Sequence, residues 1–188
     1  KHALTIEGVM RHFATLYEGE DSEEWGTIGL IHDLDYEKYP EEHCRKTEEI
    51  LRENNWPEEA IRAVISHGYS IINDVEPVLP IEKVLFTIDE LTGLITATAL
   101  MRPSKSVLDL KVKSVMKKWK QKSFAAGVDR ELIERGAKAL DMPIEKVIED
   151  ISFEADEKRG QKVIVTKELV SEKLDDIVDN VDTARYIL

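Results

Sequence analysis

Residues 29–35 read GLIHDLD, and the reading of this stretch decides how the rest of the chain is understood. An apolar run carries His32 and Asp33 side by side, and Asp35 follows two positions later. His-Asp pairs arise easily by chance, so the pair gains meaning only if other residues converge on it. The run Ile28 to Ile31 is apolar nearly all round, the pattern of a buried helix. A helix that delivers an imidazole and a carboxylate into an apolar interior must supply partners there. A buried carboxylate is costly unless it is paired or bound to a metal.

Working outward, apolar spacing predicts an all-helical chain. Ile6, Val9, Met10, Phe13, Leu16 and Tyr17 place a first helix over 3–17, and Gly19 breaks it. A second helix over 22–33 starts near Ser22 with acidic residues in its first turn, as the helix dipole favours. Pro40 sits at the start of a third, which runs to about Asn54. Pro57 opens a fourth that stops at Gly68. Pro80 opens a long fifth helix to about Met101, and a Lys-rich sixth covers 105–120. Shorter helices are expected over 129–139 and 143–155, punctuated by Gly127 and Pro143. After Ala155 the texture changes. DEKRGQ reads as a linker or a solvated loop, KVIV as a short extended piece, and TKELVSEKLDDIVDNVDTARYIL as an amphipathic helix. Thr166 would be its N-cap, with Val170, Leu174, Ile177, Val178 and Val181 on one side.

The histidines fall on these predicted faces. His2 shares a stripe with Ile6, Val9 and Phe13, and His43 one with Thr47 and Ile50. His67 lies in the last turn of its helix, near Val64 and Ala60. His32 ends the buried helix beside Asp33, and Asp89 lies beside Ile88 in the long helix. His12 is off the stripe and expected in solvent. A lone inward histidine is more often a hydrogen-bonded core residue than a ligand. Four inward histidines (His2, His32, His43, His67) and two inward acids (Asp33, Asp89) on five helices point instead to a cation. Lys and Arg are scarce on these faces. Imidazole and carboxylate donors suit Fe, Mn, Zn, Co or Ni, as one ion or two, with Asp33 able to bridge. Thiolate ligands are not expected, which excludes a zinc-finger type of site. Cys44 points off the face of His43 and reads as a buried bystander, and Trp25 and Phe86 read as core.

Composition narrows the function classes. The chain has 188 residues and a formal net charge of −12, which argues against a nucleic-acid polymer or an anionic membrane as partner. A small anionic ligand in a local basic pocket remains compatible. Apolar residues make up 42% and charged residues 34%, as in a soluble globular domain. Cys44 is the single cysteine, so no internal disulfide forms and a reducing, cytoplasmic compartment is expected. No apolar run reaches the length of a membrane span, and no signal peptide is visible. The chain opens on Lys1 rather than Met, so this start need not be the natural one.

The order His2, His32-Asp33, Asp89 resembles the His…His-Asp…Asp pattern of the HD-domain superfamily, whose members are mostly metal-dependent phosphohydrolases. His43 and His67 occupy the places of the two extra histidines in its two-metal members. WGTIGLIHDLDY, PEEH, ISHGY and LFTIDELTGLI are similar to a bacterial and archaeal subgroup of predicted HD hydrolases. The resemblance covers about residues 1–155 and implies an all-α, multi-helix bundle around a buried metal site. The family places a helix before its first histidine, whereas His2 is here the second residue. The linker and helix of 156–188 therefore either fill that helix's place or form a C-terminal extension.

The resemblance implies hydrolysis of a phosphomonoester or phosphodiester, with a small phosphorylated molecule, nucleotides included, as partner. Metal-activated water would attack phosphorus. His2, His32, Asp33 and Asp89 would hold the essential metal, and His43 and His67 a second ion or the phosphate. Asp33 and Asp35 are the candidate catalytic acids, with Asp35 orienting a ligand histidine or lying in a surface turn. Arg102, Lys105 and Lys122 are the candidate substrate contacts, although Lys-rich faces are usually just solvated. Two other functions fit the same ligands: a di-iron HD-type oxygenase, and a non-catalytic metal-stabilised binding module.

Overall fold

The computed structural model describes residues 2–157, with side chains through Ile151. The fold is all-α: among the described residues there are eight α-helices and no strand. They are α1 (His2–Ala14), α2 (Ser22–Ile31), α3 (Arg45–Glu53), α4 (Glu58–Ile65), α5 (Pro80–Leu100), α6 (Val112–Trp119), α7 (Arg130–Ala139) and α8 (Ile144–Glu157). The expected linker, extended piece and amphipathic helix of the tail lie outside the described residues, apart from Asp156 and Glu157, which end α8.

The start of α2 follows from local chemistry. The Asp21 side chain accepts from the Glu23 N–H at 2.8 Å, capping one of the donors that a helix start leaves unpaired. Gly19, at φ +85°, makes the turn before it, in a conformation that costs glycine little. α2 then lies antiparallel against α1. A Cβ at Gly29 would stand 3.0 Å from the Ile6 carbonyl oxygen, and one at Gly26 would strike Arg11. Two small residues thus let the helices approach closely, and Ile6, Met10, Phe13, Trp25 and Ile28 are sealed between them and their neighbours. Trp25 still satisfies its indole N–H, which donates to Glu20 Oε2 at 2.9 Å.

α5 is apolar on nearly every side and runs through the centre of the molecule, as its pattern requires. Val84, Leu85, Ile88, Leu91 and Leu94 are buried, and α1, α4, α6, α7 and α8 pack around it. The buried Glu82 fastens its start. That carboxylate accepts from the Val78 and Leu79 N–H groups at 2.7 and 3.0 Å and pairs with Arg62 at 2.9 Å. α7 begins at Asp129, whose side chain accepts from the Leu132 N–H at 3.0 Å, and it crosses α5 where Gly136 meets Thr87. No helix among the described residues is long and apolar enough to cross a membrane.

Three expected boundaries move. The third helix is not continuous from Pro40: a short 3-10 turn spans Pro40–Glu42, His43 is extended, and α3 starts only at Arg45. The break is a γ-turn centred on Cys44, at φ +63° and ψ −44°, closed by the Arg45 N–H donating to the His43 carbonyl at 2.8 Å. The sixth helix starts at Val112 rather than 105. Asp109 accepts from Arg102 and Ser104 at 2.7 and 2.9 Å and holds the intervening residues in turns. The first helix ends at Ala14, where the Thr15 hydroxyl and N–H both donate to the His12 carbonyl.

Candidate metal centre

Six side chains from distant parts of the chain meet at one place. His2 comes from the first turn of α1, and His32 caps the C-terminus of α2 with Asp33 beside it. His43 precedes the γ-turn, His67 sits in the 3-10 turn after α4, and Asp89 projects from α5. Two groups can be told apart. In the first, His2 Nε2 lies 2.8 Å from Asp89 Oδ1 and 3.3 Å from His32 Nε2, and His32 Nε2 lies 3.5 Å from Asp89 Oδ1. In the second, His43 Nε2 lies 3.0 Å from His67 Nε2. Asp33 stands between them. Its Oδ2 is 3.4 Å from His32 Nε2 and its Oδ1 is 3.5 Å from His43 Nε2. The centre is closed at His32, whose side chain is 0% exposed, and open at His2, which is 40% exposed.

The outward nitrogens settle what the inward ones can do. His32 Nδ1 donates to the Gly29 carbonyl at 2.7 Å, and His67 Nδ1 donates to the Val64 carbonyl at 2.5 Å. A carbonyl only accepts, so both Nδ1 atoms carry hydrogen. When neutral, such a ring presents a bare lone pair at Nε2, and burial favours that form for His67. His43 Nδ1 faces Asp35 Oδ1 at 2.7 Å, which orients that ring in the same way. Asp35 is buried at 1% exposure, and its other oxygen accepts from the Thr47 N–H at 2.8 Å. This is the outer hydrogen bonding that fixes tautomer and direction in histidine ligands.

The acids at the centre are held ionised by the histidines around them. Burial opposes charge on His32, but hydrogen bonds to Asp33 and Asp89 outweigh it and push its pKa up to about 10. Burial would raise Asp89, yet hydrogen bonds from His2 and His32 hold it well below the usual carboxylate range. Asp33 is lowered too, against its own burial, through the hydrogen bond and charge of His32. Burial lowers His67, so it favours the neutral ring. Among the described residues no Lys or Arg pairs with Asp33 or Asp89; their ion partners are histidines. Nitrogen and carboxylate donors with lone pairs converging fit a divalent transition-metal ion.

The remaining expected residues stand elsewhere or differ in detail. Arg102 lies beyond the C-terminal end of α5 and is engaged by Asp109. Lys105 and Lys122 are exposed. His12 is half-buried rather than solvated, with its ring against Phe13. Cys44 is buried as expected, and its Sγ lies 3.8 Å from His67 Nε2. Sequence reasoning set it off the face of His43 by assuming a continuous helix, and the γ-turn removes that assumption. It also missed Thr47 as the anchor of Asp35. The one local signal for Cys44 was its place next to His43.

No family model matches the chain, and no solved structure matches it. Similarity appears to curated proteins described as "ATP-dependent protease ATPase subunit HslU". The one from Campylobacter jejuni (strain RM1221) is 51% identical over 65 residues, 35% of this chain and 15% of that protein. The one from Helicobacter pylori (strain G27) is 57% identical over 53 residues, 28% of this chain and 12% of that protein. The match to the Campylobacter jejuni relative thus spans about 15% of that protein's length. These findings correct the expectation of an HD-domain protein. They correct with it the metal-dependent phosphohydrolase, its HD-type oxygenase alternative and the small phosphorylated partner, because the relatives are ATPase subunits of a protease. The physical reason is that a few ligand types in a given order describe how an ion is held. They specify neither a family nor a reaction.

Proposed function

We propose that this chain works as part of an ATP-dependent protease assembly and that its helical body holds one or two divalent transition-metal ions. The metal is of the class Fe, Mn, Zn, Co or Ni. His2, His32 and Asp89 would bind on one side, His43 and His67 on the other, with Asp33 between, and Asp35 would orient His43. The observation that carries the metal reading is the pair His43 and His67. Two imidazoles, each with its Nδ1 side already engaged, bring their Nε2 atoms within 3.0 Å. Two lone pairs repel at that distance unless a proton or a cation lies between them. A bound metal supplies that positive charge and ties α1, α2, α5 and the turns beyond α4 together.

Similarity to the two ATPase subunits supports the protease half of the reading. Nucleotide hydrolysis is not assigned to these 188 residues. A phosphate-cradling loop of the GxxxxGK[ST] kind needs Gly followed by Lys, and no glycine in the sequence is followed by lysine. A cytoplasmic location accords with the single unpaired thiol.

The test uses the full chain purified without chelator. Elemental analysis is expected to find one to two equivalents of a transition metal, and Asp33→Asn to lower that content. Metal-free protein that takes up no ion from a chelator-buffered titration rules out the metal half. For the other half, the chain is mixed with the Campylobacter jejuni ATP-dependent protease. It is expected to co-elute with the ATPase subunit and to alter the rate of ATP-dependent protein degradation. A chain that elutes alone and leaves that rate unchanged rules out the protease half.

A further inference from the structure

The two halves of the centre do not offer the same atoms. Around His2, His32 and Asp89 every donor is nitrogen or oxygen. Around His43 and His67 there is also sulfur: His43, Cys44 and His67 form a fully buried group whose donor atoms all lie within 4.8 Å of one another. Cys44 Sγ is 3.8 Å from His67 Nε2, His43 Nε2 is 3.0 Å from His67 Nε2, and Asp33 Oδ1 is 3.5 Å from His43 Nε2. With bonds of about 2.3 Å to sulfur and 2.0 Å to nitrogen or oxygen, neighbouring donors of a tetrahedral ion stand roughly 3.3–3.6 Å apart. The two spacings to His67 Nε2, 3.0 and 3.8 Å, lie on either side of that range. The backbone also leaves room for the sulfur. A Cβ at Gly68 would come within 2.8 Å of Cys44 Sγ, so only glycine at 68 keeps that position clear.

We propose that Cys44, together with His43 and His67, forms a thiolate-containing site for a thiophilic divalent ion such as Zn2+. The neighbouring half of the centre takes a harder ion through nitrogen and oxygen alone. Binding breaks the Cys44 S–H bond, forms an S–metal bond and releases one proton to solvent, with no change of oxidation state. Soft sulfur ligands favour zinc-like ions over manganese or magnesium, so the cysteine sets which metal enters this half. The inference rests on the metal-binding reading above and adds to it the identity of the ligand and the selectivity.

Titration of the metal-free full chain with Co2+ tests it. Bound Co2+ is expected to show visible ligand-field bands and, in addition, a near-ultraviolet thiolate-to-cobalt charge-transfer band. Cys44→Ser, checked for native helicity by circular dichroism, should lose the charge-transfer band. It should also bind Zn2+ at least about tenfold more weakly. His2→Ala, which alters only the other half, should keep the band. Ligand-field bands without a charge-transfer band in the unaltered chain overturn the proposal, as does a charge-transfer band that survives in Cys44→Ser. If no cobalt spectrum of either kind develops, the metal-binding reading falls and this one with it.

Discussion

Asp35 fastens the His43 arm of the centre. One oxygen faces His43 Nδ1 and the other accepts from the Thr47 N–H at the start of α3, both within 2.8 Å. Both contacts are buried, so water does not replace a lost partner. Asp35→Asn keeps the shape but puts an NH2 group opposite a donor. It is expected to destabilise the metal-free chain by about 2 kcal/mol in urea unfolding, the cost of leaving a buried donor unpaired. It should also weaken metal binding about 10- to 100-fold in a competition titration, as loss of an outer carboxylate does at histidine sites. Unchanged affinity would mean that the ring of His43 is oriented by something else. Asp33 differs in kind, since its two oxygens face the two groups of nitrogens directly.

At the scale of elements, the bundle depends on close approaches and fastened ends. α7 lies against α5 because position 136 has no side chain: an added Cβ would fall 2.2 Å from Thr87 Oγ1 and 3.0 Å from the Thr87 Cα. A backbone neighbour cannot swing aside, so Gly136→Ala should cost about 1–3 kcal/mol, as overpacking does. Gly127→Ala, with nothing within 4 Å of the added carbon, is the control and should stay within about 0.5 kcal/mol of the parent. Equal stabilities of the two variants would show that α5 and α7 can slide apart freely. Glu82 is the other fastening. It caps α5 through two N–H groups and meets Arg62 of α4. Glu82→Ala removes all three contacts and is expected to cost about 3 kcal/mol in the same unfolding assay. A loss under 1 kcal/mol would show that the start of α5 is held by its apolar packing alone.

For the whole molecule, an ion at the proposed centre would act as a cross-link. The residues it joins are separated by as many as 87 positions along the chain, the distance from His2 to Asp89. An ion that binds the folded form alone stabilises it by mass action, about 2.7 kcal/mol at a free concentration one hundred times Kd. For a chain of this size that should raise Tm by about 5–10 °C. Scanning calorimetry with saturating Zn2+ and then with excess EDTA is expected to show this difference, and to show less of it in His67→Ala. Equal Tm values under both conditions would mean that the ion plays no part in holding the bundle.

Much of this architecture is legible along the chain. Apolar spacing, together with Ser22, Pro57, Pro80 and Pro143, places most helices within a few residues, because capping and periodicity are local effects. The same spacing selected His2, His32, His43, His67, Asp33 and Asp89 as inward-facing. Where the chain leaves regular structure that logic fails. His43 and Cys44 were assigned to faces of a helix that does not extend through them, since nothing in their side chains announces a γ-turn. Sequence alone thus determined an all-helical chain with imidazoles and carboxylates directed inward. Tertiary packing decided which nitrogen of each ring looks inward, that Asp33 lies between two groups, and that a sulfur joins one of them. The reason is that a face is set by neighbours three or four residues away. A shared centre is set by partners tens of residues distant, and only the packed helices bring those together.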